Sequence, residues 1–202
     1  MDTNLTKTEN SIDKNAVRSK QIALAGLFAA LSYIGFQFFR IDIPVGPAKT
    51  AFHLGNTFVT LAALFLGGPL GGLAGGAGLT IADLTSGYAT SAPKTFFLKF
   101  MIALITGLVA HKAFKINQIT DHKKLVLAAV VSSASGLLFN VFADPIVGYF
   151  YKRYLFGLQV DLAETLAKIS ALTTFVNAVA SVAFASILYL ILRPTLKKSQ
   201  LI

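Results

Sequence analysis

The feature that most constrains the fold is an uncharged stretch of 33 residues, from Thr50 to Ala82. Seven glycines lie between Gly67 and Gly78, spaced so that they form two rows at i, i+4 intervals. In water this much glycine would weaken a helix, whereas in lipid small residues let helix backbones approach closely. The stretch is longer than the roughly 20 residues that one membrane span needs. We therefore predict two short membrane helices, separated by a tight turn at Gly67-Gly68-Pro69.

The composition supports a membrane protein. The chain is 54% hydrophobic and 13% charged, with a mean hydropathy of +0.66, whereas soluble domains carry about 25% charged residues. The net charge of +9 is spread over short segments between apolar runs, which is typical of membrane topology and not of a nucleic-acid surface. Without cysteine, disulfides and thiol catalysis are excluded. We predict an all-α integral membrane protein.

Four further apolar runs have membrane-spanning length, which brings the predicted bundle to about six transmembrane helices. These runs are residues 22–39, 95–110, 125–143 and 169–192. The segment Arg40–Lys49, with two prolines and a glycine, is predicted to be a loop. Pro145 is predicted to end the fifth helix or to start a turn, and residues 146–168 to lie in the membrane interface. The membrane domain is thus residues 21–195, with cytosolic tails at 1–20 and 196–202.

The basic residues predict the orientation. Eleven of the eighteen Lys and Arg residues lie in the N-terminal tail, in the segment His111–Lys124 and at the C-terminus. Cytoplasmic segments of membrane proteins are enriched in Lys and Arg. We therefore expect a protein of the cell membrane with both termini in the cytoplasm.

Polar residues inside apolar helices are costly and often functional. With this orientation most of them converge on the outer half of the bundle, where they predict a pocket for a small polar molecule. The candidate substrate-binding residues are His53, Asp83, Tyr88, Lys94, Lys99, Asn140, Asp144 and Asn177. Asp83 and Lys94 could instead cap helix ends in headgroup water, and Lys99 could extend toward the interface. A lone histidine such as His53 is more often a packing residue than a ligand, and no metal site is predicted.

Motifs for catalysis are missing. The sequence has no GxxxxGK[ST] phosphate loop and no HExxH motif. No histidine follows His122, so the sixth span cannot supply the base of an intramembrane serine protease. We predict that the chain is not an enzyme. An ion-coupled secondary transporter or a membrane scaffold remains as an alternative, although the two matching broken helices of many transporters are not seen.

Two sequence blocks carry a resemblance to a known family. The first predicted helix has small residues on two adjacent ridges, Ala25/Ala29 and Gly26/Ala30. The glycine-rich span runs into ADLTSGYATSAPKTFFLKF, residues Ala82 to Phe100. With six spans in about 200 residues, the chain resembles the S components, or substrate-binding subunits, of energy-coupling factor (ECF) vitamin transporters.

The resemblance implies a six-helix bundle that captures a water-soluble vitamin at the outer face, gated by Arg40–Lys49. It also implies two kinds of partner, a transmembrane T component that docks on the small residues of the first helix and two cytosolic ATPases. ATP and magnesium would bind to those ATPases, and no cofactor is expected in this chain.

The Ala82–Phe100 block looks most like the branch with riboflavin, hydroxymethylpyrimidine and pyridoxine carriers. We expect hydroxymethylpyrimidine or pyridoxine, with riboflavin as an alternative. Lys94 and Lys99 would also suit the carboxylate of pantothenate. Aromatic residues could stack on a flat ring, although the tyrosines of 149–154 could equally form an interfacial belt. The stacking candidates are Tyr88, Phe96, Phe97 and the Tyr149–Tyr154 group.

Overall fold

The computed structural model describes residues 2–45 and 48–199, and the side chains of residues 15–45 and 49–199. Within these residues the chain forms six α-helices and one β-hairpin. The helices are α1 (Asp2–Gln37), α2 (Gly55–Leu66), α3 (Gly68–Thr85), α4 (Ala92–Leu108), α5 (His122–Phe150) and α6 (Val160–Lys198). The hairpin consists of β1 (Arg40–Val45) and β2 (Ala48–His53) and joins α1 to α2.

Four helices are long and apolar enough to cross a membrane: α1 from Asn15 onward, α4 with its flanking turns, α5 and α6. Helix α2 has 12 residues and is therefore about 18 Å long, short of a hydrocarbon core of about 30 Å. Helix α3 has 18 residues, but its many glycines contribute little hydropathy. The helical membrane bundle is confirmed, although a β-hairpin joins two of its helices, and six complete spans remain a prediction.

The predicted break between α2 and α3 is confirmed at Gly67. Its φ of 80° is a left-handed conformation that glycine adopts without steric cost. Pro69 follows in the first turn of α3, where a proline costs no hydrogen bond because that N–H has no helical partner.

The two glycine rows of α3 face different neighbours. Gly71 and Gly75 lie against Ala63 and Val59 of α2, whereas Gly72 and Gly76 lie against phenylalanines of α4. Gly78 packs on the backbone of α1. Helix α3 therefore lies between three other helices. Its glycines have no side chains, so all three helices can approach it closely.

The predicted loop Arg40–Lys49 is wrong, because residues on both sides of its tip pair as an antiparallel hairpin with Arg40 opposite His53. Pro44 is compatible with a strand that has a partner on one side only. The alternation of Ile41 and Ile43 with polar residues was the sequence signal for this strand. Gly46 and Pro47, within the predicted loop, lie outside the described residues.

The predicted end of the fifth helix at Pro145 is also wrong. Helix α5 continues through this proline to Phe150, and a π-helical turn extends to Leu155. Prolines are tolerated in membrane helices when neighbouring groups hold the helix in place. Asp144, the residue before Pro145, is anchored by three side chains on α4 and α6.

The helices extend beyond the predicted membrane domain. Helix α1 begins at Asp2, within the predicted tail 1–20. Helix α6 begins at Val160, inside the predicted interfacial segment, and runs through Pro194 to Lys198. Residues 200–202 of the predicted C-terminal tail lie outside the described residues.

One end of the bundle, here called the basic end, holds the α4–α5 connection and the C-terminus of α6. Arg193 of α6 donates hydrogen bonds to the carbonyl oxygens of Ile116 (3.1 Å), Asn117 (3.3 Å) and Ile119 (2.9 Å). Close by, the buried Tyr189 packs on Phe65 of α2, with ring centroids 4.7 Å apart. These contacts hold the basic connection against α6.

We predict that Gly71→Ala lowers the thermal stability of the purified protein. The added methyl group would lie 2.7 Å from the Cα of Ala63, and overpacking of this kind costs about 1–3 kcal/mol. Gly26→Ala is the matched control, because a methyl group there meets no atom within 4 Å. Thermal unfolding in detergent measures both, and equal midpoints for the two variants would contradict the packing described here.

Candidate functional site

A cavity lies at the end of the bundle opposite the basic end, covered by the β1–β2 hairpin. It holds about 680 Å³ of empty space, including the part that opens to solvent. The structure brings seven of the eight sequence-predicted site residues to this cavity. They are His53, Asp83, Tyr88, Lys94, Lys99, Asp144 and Asn177.

Asn140 is the exception. It lies one helical turn before Asp144 on α5, is 1% exposed and does not line the cavity. No hydrogen-bond partner reaches its Oδ1 within the described part of the chain.

Asp144 and Lys94 form an ion pair that ties three helices together. Lys94 Nζ on α4 lies 2.7 Å from Asp144 Oδ1 on α5. The other carboxylate oxygen accepts hydrogen bonds from Ser170 (2.6 Å) and Thr174 (3.1 Å) on α6. Both side chains of the ion pair are largely buried, so these donors offset the cost of removing the charges from water.

Asn177 binds the hairpin backbone with both ends of its amide. Its Oδ1 accepts a hydrogen bond from the His53 N–H, and its Nδ2 donates to the Ala51 carbonyl, each at 3.0 Å. The hydroxyl groups of Thr50 and Thr173 lie 3.1 Å apart beside them. Strand β2 is therefore docked on α6, and Asn177 holds one wall of the cavity in place.

Asp42 of β1 gathers a cluster that attaches the hairpin to the α3–α4 turn. Its carboxylate lies 2.9 Å from Arg40 Nε and 3.3 Å from Lys49 Nζ, and it accepts a 2.9 Å hydrogen bond from the Tyr88 hydroxyl. Lys49 also donates to the Ser86 carbonyl at 3.1 Å. Partial burial raises the pKa of Asp42, but the Tyr88 and Lys49 hydrogen bonds and the neighbouring charges outweigh it and lower that pKa overall.

His53 is a neutral hydrogen-bonding group at the base of the hairpin. Burial, aided by the charge of Lys99, lowers the pKa of His53 to about 3. Its Nδ1 accepts a hydrogen bond from the Gly55 N–H at 3.2 Å, so the ring proton lies on Nε2. The ring packs on Phe36 with centroids 4.7 Å apart, and Phe36 meets Tyr88 edge to face at 5.8 Å.

Asp83 and Lys99 are the two buried charged residues of the cavity, at 5% and 8% exposure. Asp83 lies near the end of α3, and its Oδ2 accepts a hydrogen bond from Thr95. Lys99 lies two turns into α4. The two residues form no ion pair with each other.

Several lining residues were not among the sequence candidates. They are Phe36, Lys49, Thr50, Ala51, Asn56, Leu79, Ser91, Thr95, Lys152, Ser170, Thr173 and Thr174. The polar stripe at helical spacing on α6 was a usable signal for Ser170, Thr173 and Thr174. Lys49 and Thr50 carried no such signal, because they reach the cavity only through the hairpin.

The other predicted aromatic candidates lie elsewhere. Phe96 and Phe97 are 37% and 57% exposed and do not line the cavity. Tyr149 and Phe150 border a separate apolar groove between α5 and α6. Among the described residues, no group of three or more His, Asp or Glu side chains could hold a metal ion.

The match to a protein family covers most of this architecture. The model of the ECF-type riboflavin transporter S component matches residues 16–194, which is 179 of the 202 residues. The chain belongs to this family. It is therefore a substrate-binding subunit of an ECF vitamin transporter and not an enzyme. The comparison with curated proteins gives no match.

Membership has two consequences for this S component. It is a multi-pass protein of the cell membrane, in agreement with its apolar helices. The family also implies that it associates with a T component and ATPases. The resemblance seen in the sequence is confirmed at the level of the S component.

We predict that Asp144→Asn strongly destabilises this S component. The substitution leaves Lys94 buried without its counter-charge, and breaking a buried pair costs about 3–5 kcal/mol. Glu164→Gln is the control, since it breaks the exposed Glu164–Lys168 pair at 3.8 Å, and such pairs contribute about 0–1 kcal/mol. Thermal unfolding should separate the two variants by several degrees. Similar midpoints would show that the Asp144 network contributes little.

Proposed function

We propose that this S component captures a small water-soluble vitamin or vitamin precursor from outside the cell, in the cavity beneath the hairpin. A T component and two ATPases then drive its release inward. Hydroxymethylpyrimidine and pyridoxine are the preferred ligands, with riboflavin, after which the family is described, and pantothenate as alternatives. The observation that carries the proposal is a cavity lined by buried polar and charged groups at one end of a membrane bundle.

The orientation follows from the two ends of the bundle. The basic end carries Arg193, Lys197 and Lys198 beside the basic α4–α5 connection. Cytoplasmic segments are enriched in such residues, which favours a cytoplasmic basic end, with the N-terminus on the same side. The cavity then opens to the exterior, where an importer must first meet its substrate.

The residues that line the cavity favour a ring with polar edges. Phe36, Tyr88 and the neutral His53 ring give one side an aromatic surface, and aromatic rings pack on flat heterocycles. Other lining groups are charged or carry hydroxyls, as at Asp83, Lys99 and Thr173. A purely apolar ligand would leave these polar groups unpaired, at a cost of about 1–3 kcal/mol each.

The docking surface for the T component is proposed on α1. The structure separates its two small-residue ridges: Ala25 is buried at 8% exposure, and the backbone of Ala29 packs on Gly78 of α3. Gly26 and Ala30 are exposed. An exposed small ridge permits close helix contact, so Gly26 and Ala30 are assigned to the partner, and Ala25 and Ala29 to the bundle interior.

The capture proposal predicts a bound vitamin. The S component, purified alone in mild detergent from cells in rich medium, should retain one small molecule that native mass spectrometry can release and identify. Uptake of that molecule into proteoliposomes should require the T component, the ATPases and ATP. A ligand-free protein that binds none of the four candidate vitamins would contradict the proposal, and uptake without ATPases would indicate a secondary transporter.

We further predict that Gly26→Leu abolishes co-purification with the T component while vitamin binding persists. A leucine on the exposed ridge keeps the partner helix at a distance, because close approach needs small residues. Ala183→Leu is the matched control, as Ala183 is also exposed but lies on α6. Loss of the complex in both variants, or in neither, would argue against this docking surface.

A further inference from the structure

The β1–β2 hairpin has one mostly polar face and one mostly apolar face. In its register Arg40 lies opposite His53, and Ile41 lies opposite Phe52. Successive side chains of a strand point to opposite faces, and directly opposite residues of two strands share a face. The polar face thus holds Arg40, Asp42, Lys49 and His53, and the apolar face holds Ile41, Ile43, Val45, Thr50 and Phe52.

The polar face is turned toward the bundle. Asp42 accepts a hydrogen bond from the Tyr88 hydroxyl, and Lys49 donates to the Ser86 carbonyl, both on the α3–α4 turn. His53 lines the cavity. The apolar face therefore points away from the cavity, and Ile41 on it is 69% exposed.

The apolar face continues the lipid-facing surface of α1. Leu27, Ile34 and Phe38 are exposed at helical spacing on a helix long and apolar enough to cross a membrane. Phe38, at 74% exposure, is followed by the exposed Ile41 of β1. The charge between them, Arg40, turns inward, with its guanidinium 5.1 Å from the centre of the Phe36 ring. One exposed apolar surface thus runs from α1 onto the hairpin.

The backbone of the hairpin limits how deeply this surface can lie in the bilayer. Within the described residues the sheet has two strands, so β1 has a strand partner on one side only. Open sheet edges exposed to lipid do not occur in the hydrocarbon region, where no water can bind their N–H and C=O groups. The apolar face requires lipid and the strand edge requires water, and only the membrane interface supplies both.

We propose that phospholipids cover the apolar face of the hairpin, which lies in the outer membrane interface and not in the aqueous phase. The assignment to the outer leaflet rests on the proposed orientation, whereas the lipid contact does not depend on vitamin capture. The hairpin then lies between lipid and the cavity. It moves within the interface when the cavity opens, because lifting it into water would expose Ile41 and Phe52 at a cost in free energy.

Tryptophan fluorescence provides the test, because the chain has no tryptophan of its own. The variant Ile41→Trp is placed in phosphatidylcholine nanodiscs that hold one S component each. The acyl chains are brominated either near the headgroup or near the methyl end, and acrylamide quenches from the water. Bromine near the headgroup should remove more than half of the emission, and bromine near the methyl end or acrylamide should remove much less.

Two control variants define the limits of this measurement. Thr90→Trp lies on the exposed turn before α4, at the same end of the bundle, and should be quenched by acrylamide and not by the brominated lipids. Leu138→Trp lies on the exposed face of α5 within an apolar span, and should be quenched by the lipids and not by acrylamide.

Three outcomes would overturn the inference. Acrylamide quenching of Ile41→Trp as strong as that of Thr90→Trp would place the hairpin in water. Quenching by neither reagent would mean that protein covers the face. Stronger quenching from the methyl end than from the headgroup end would place the hairpin in the hydrocarbon core.

A second variant and a separate assay keep these outcomes distinct. Ile43→Trp, on the same face of β1, repeats the measurement if thermal unfolding shows that Ile41→Trp is not folded. Vitamin binding is measured on the unaltered protein. Lipid quenching without vitamin binding would overturn the proposed capture function and leave the lipid contact intact, and vitamin binding with a water-exposed hairpin would do the reverse.

Discussion

The close packing of α3 is the constraint on which the rest of the structure depends. This helix touches α1, α2 and α4 through glycines, and a methyl group at Gly71 or Gly72 would lie 2.7 Å from a neighbouring atom. Because these glycines have no side chains, the backbone of α3 lies close to those of its three neighbours. That packing also sets Asp83, near the end of α3, beside the α4 residues Thr95 and Lys99. The composition of one helix thus determines where the cavity can form.

Several polar groups inside the bundle bind partners on other helices or on the hairpin. Asp144 joins α4, α5 and α6 through Lys94, Ser170 and Thr174. Asn177 joins α6 to the backbone of β2. These contacts fix the walls of the cavity, which Lys99 and Asp83 also line. Polar side chains are costly inside a membrane, and mutual hydrogen bonds reduce that cost for Asp144 and Asn177.

The sequence predictions were correct mainly for features that depend on residues close together in the sequence. They failed mainly for features that depend on contacts between distant elements. The break at Gly67 was predictable because it depends on adjacent residues. The gathering of Lys94, Asp144 and Asn177 was predictable because polar residues on membrane helices turn inward. The hairpin was missed because its prolines and glycine indicated a loop. The continuation of α5 was missed because Asp144, next to Pro145, is bound by side chains of other helices. Asn140, on the same polar stripe as Asp144, stays outside the cavity.

The sequence by itself determined the membrane environment, the helical class, the α2–α3 break and the small-residue ridges, since all of these depend on local composition and spacing. Only the tertiary structure decided that Asn177 binds β2, residues 124 and 126 positions away, and that Gly26 and Ala30 face outward while Ala25 faces inward. Two adjacent ridges of a helix have the same spacing in sequence. Which one is buried depends on the helices that pack against it, and that information is not local.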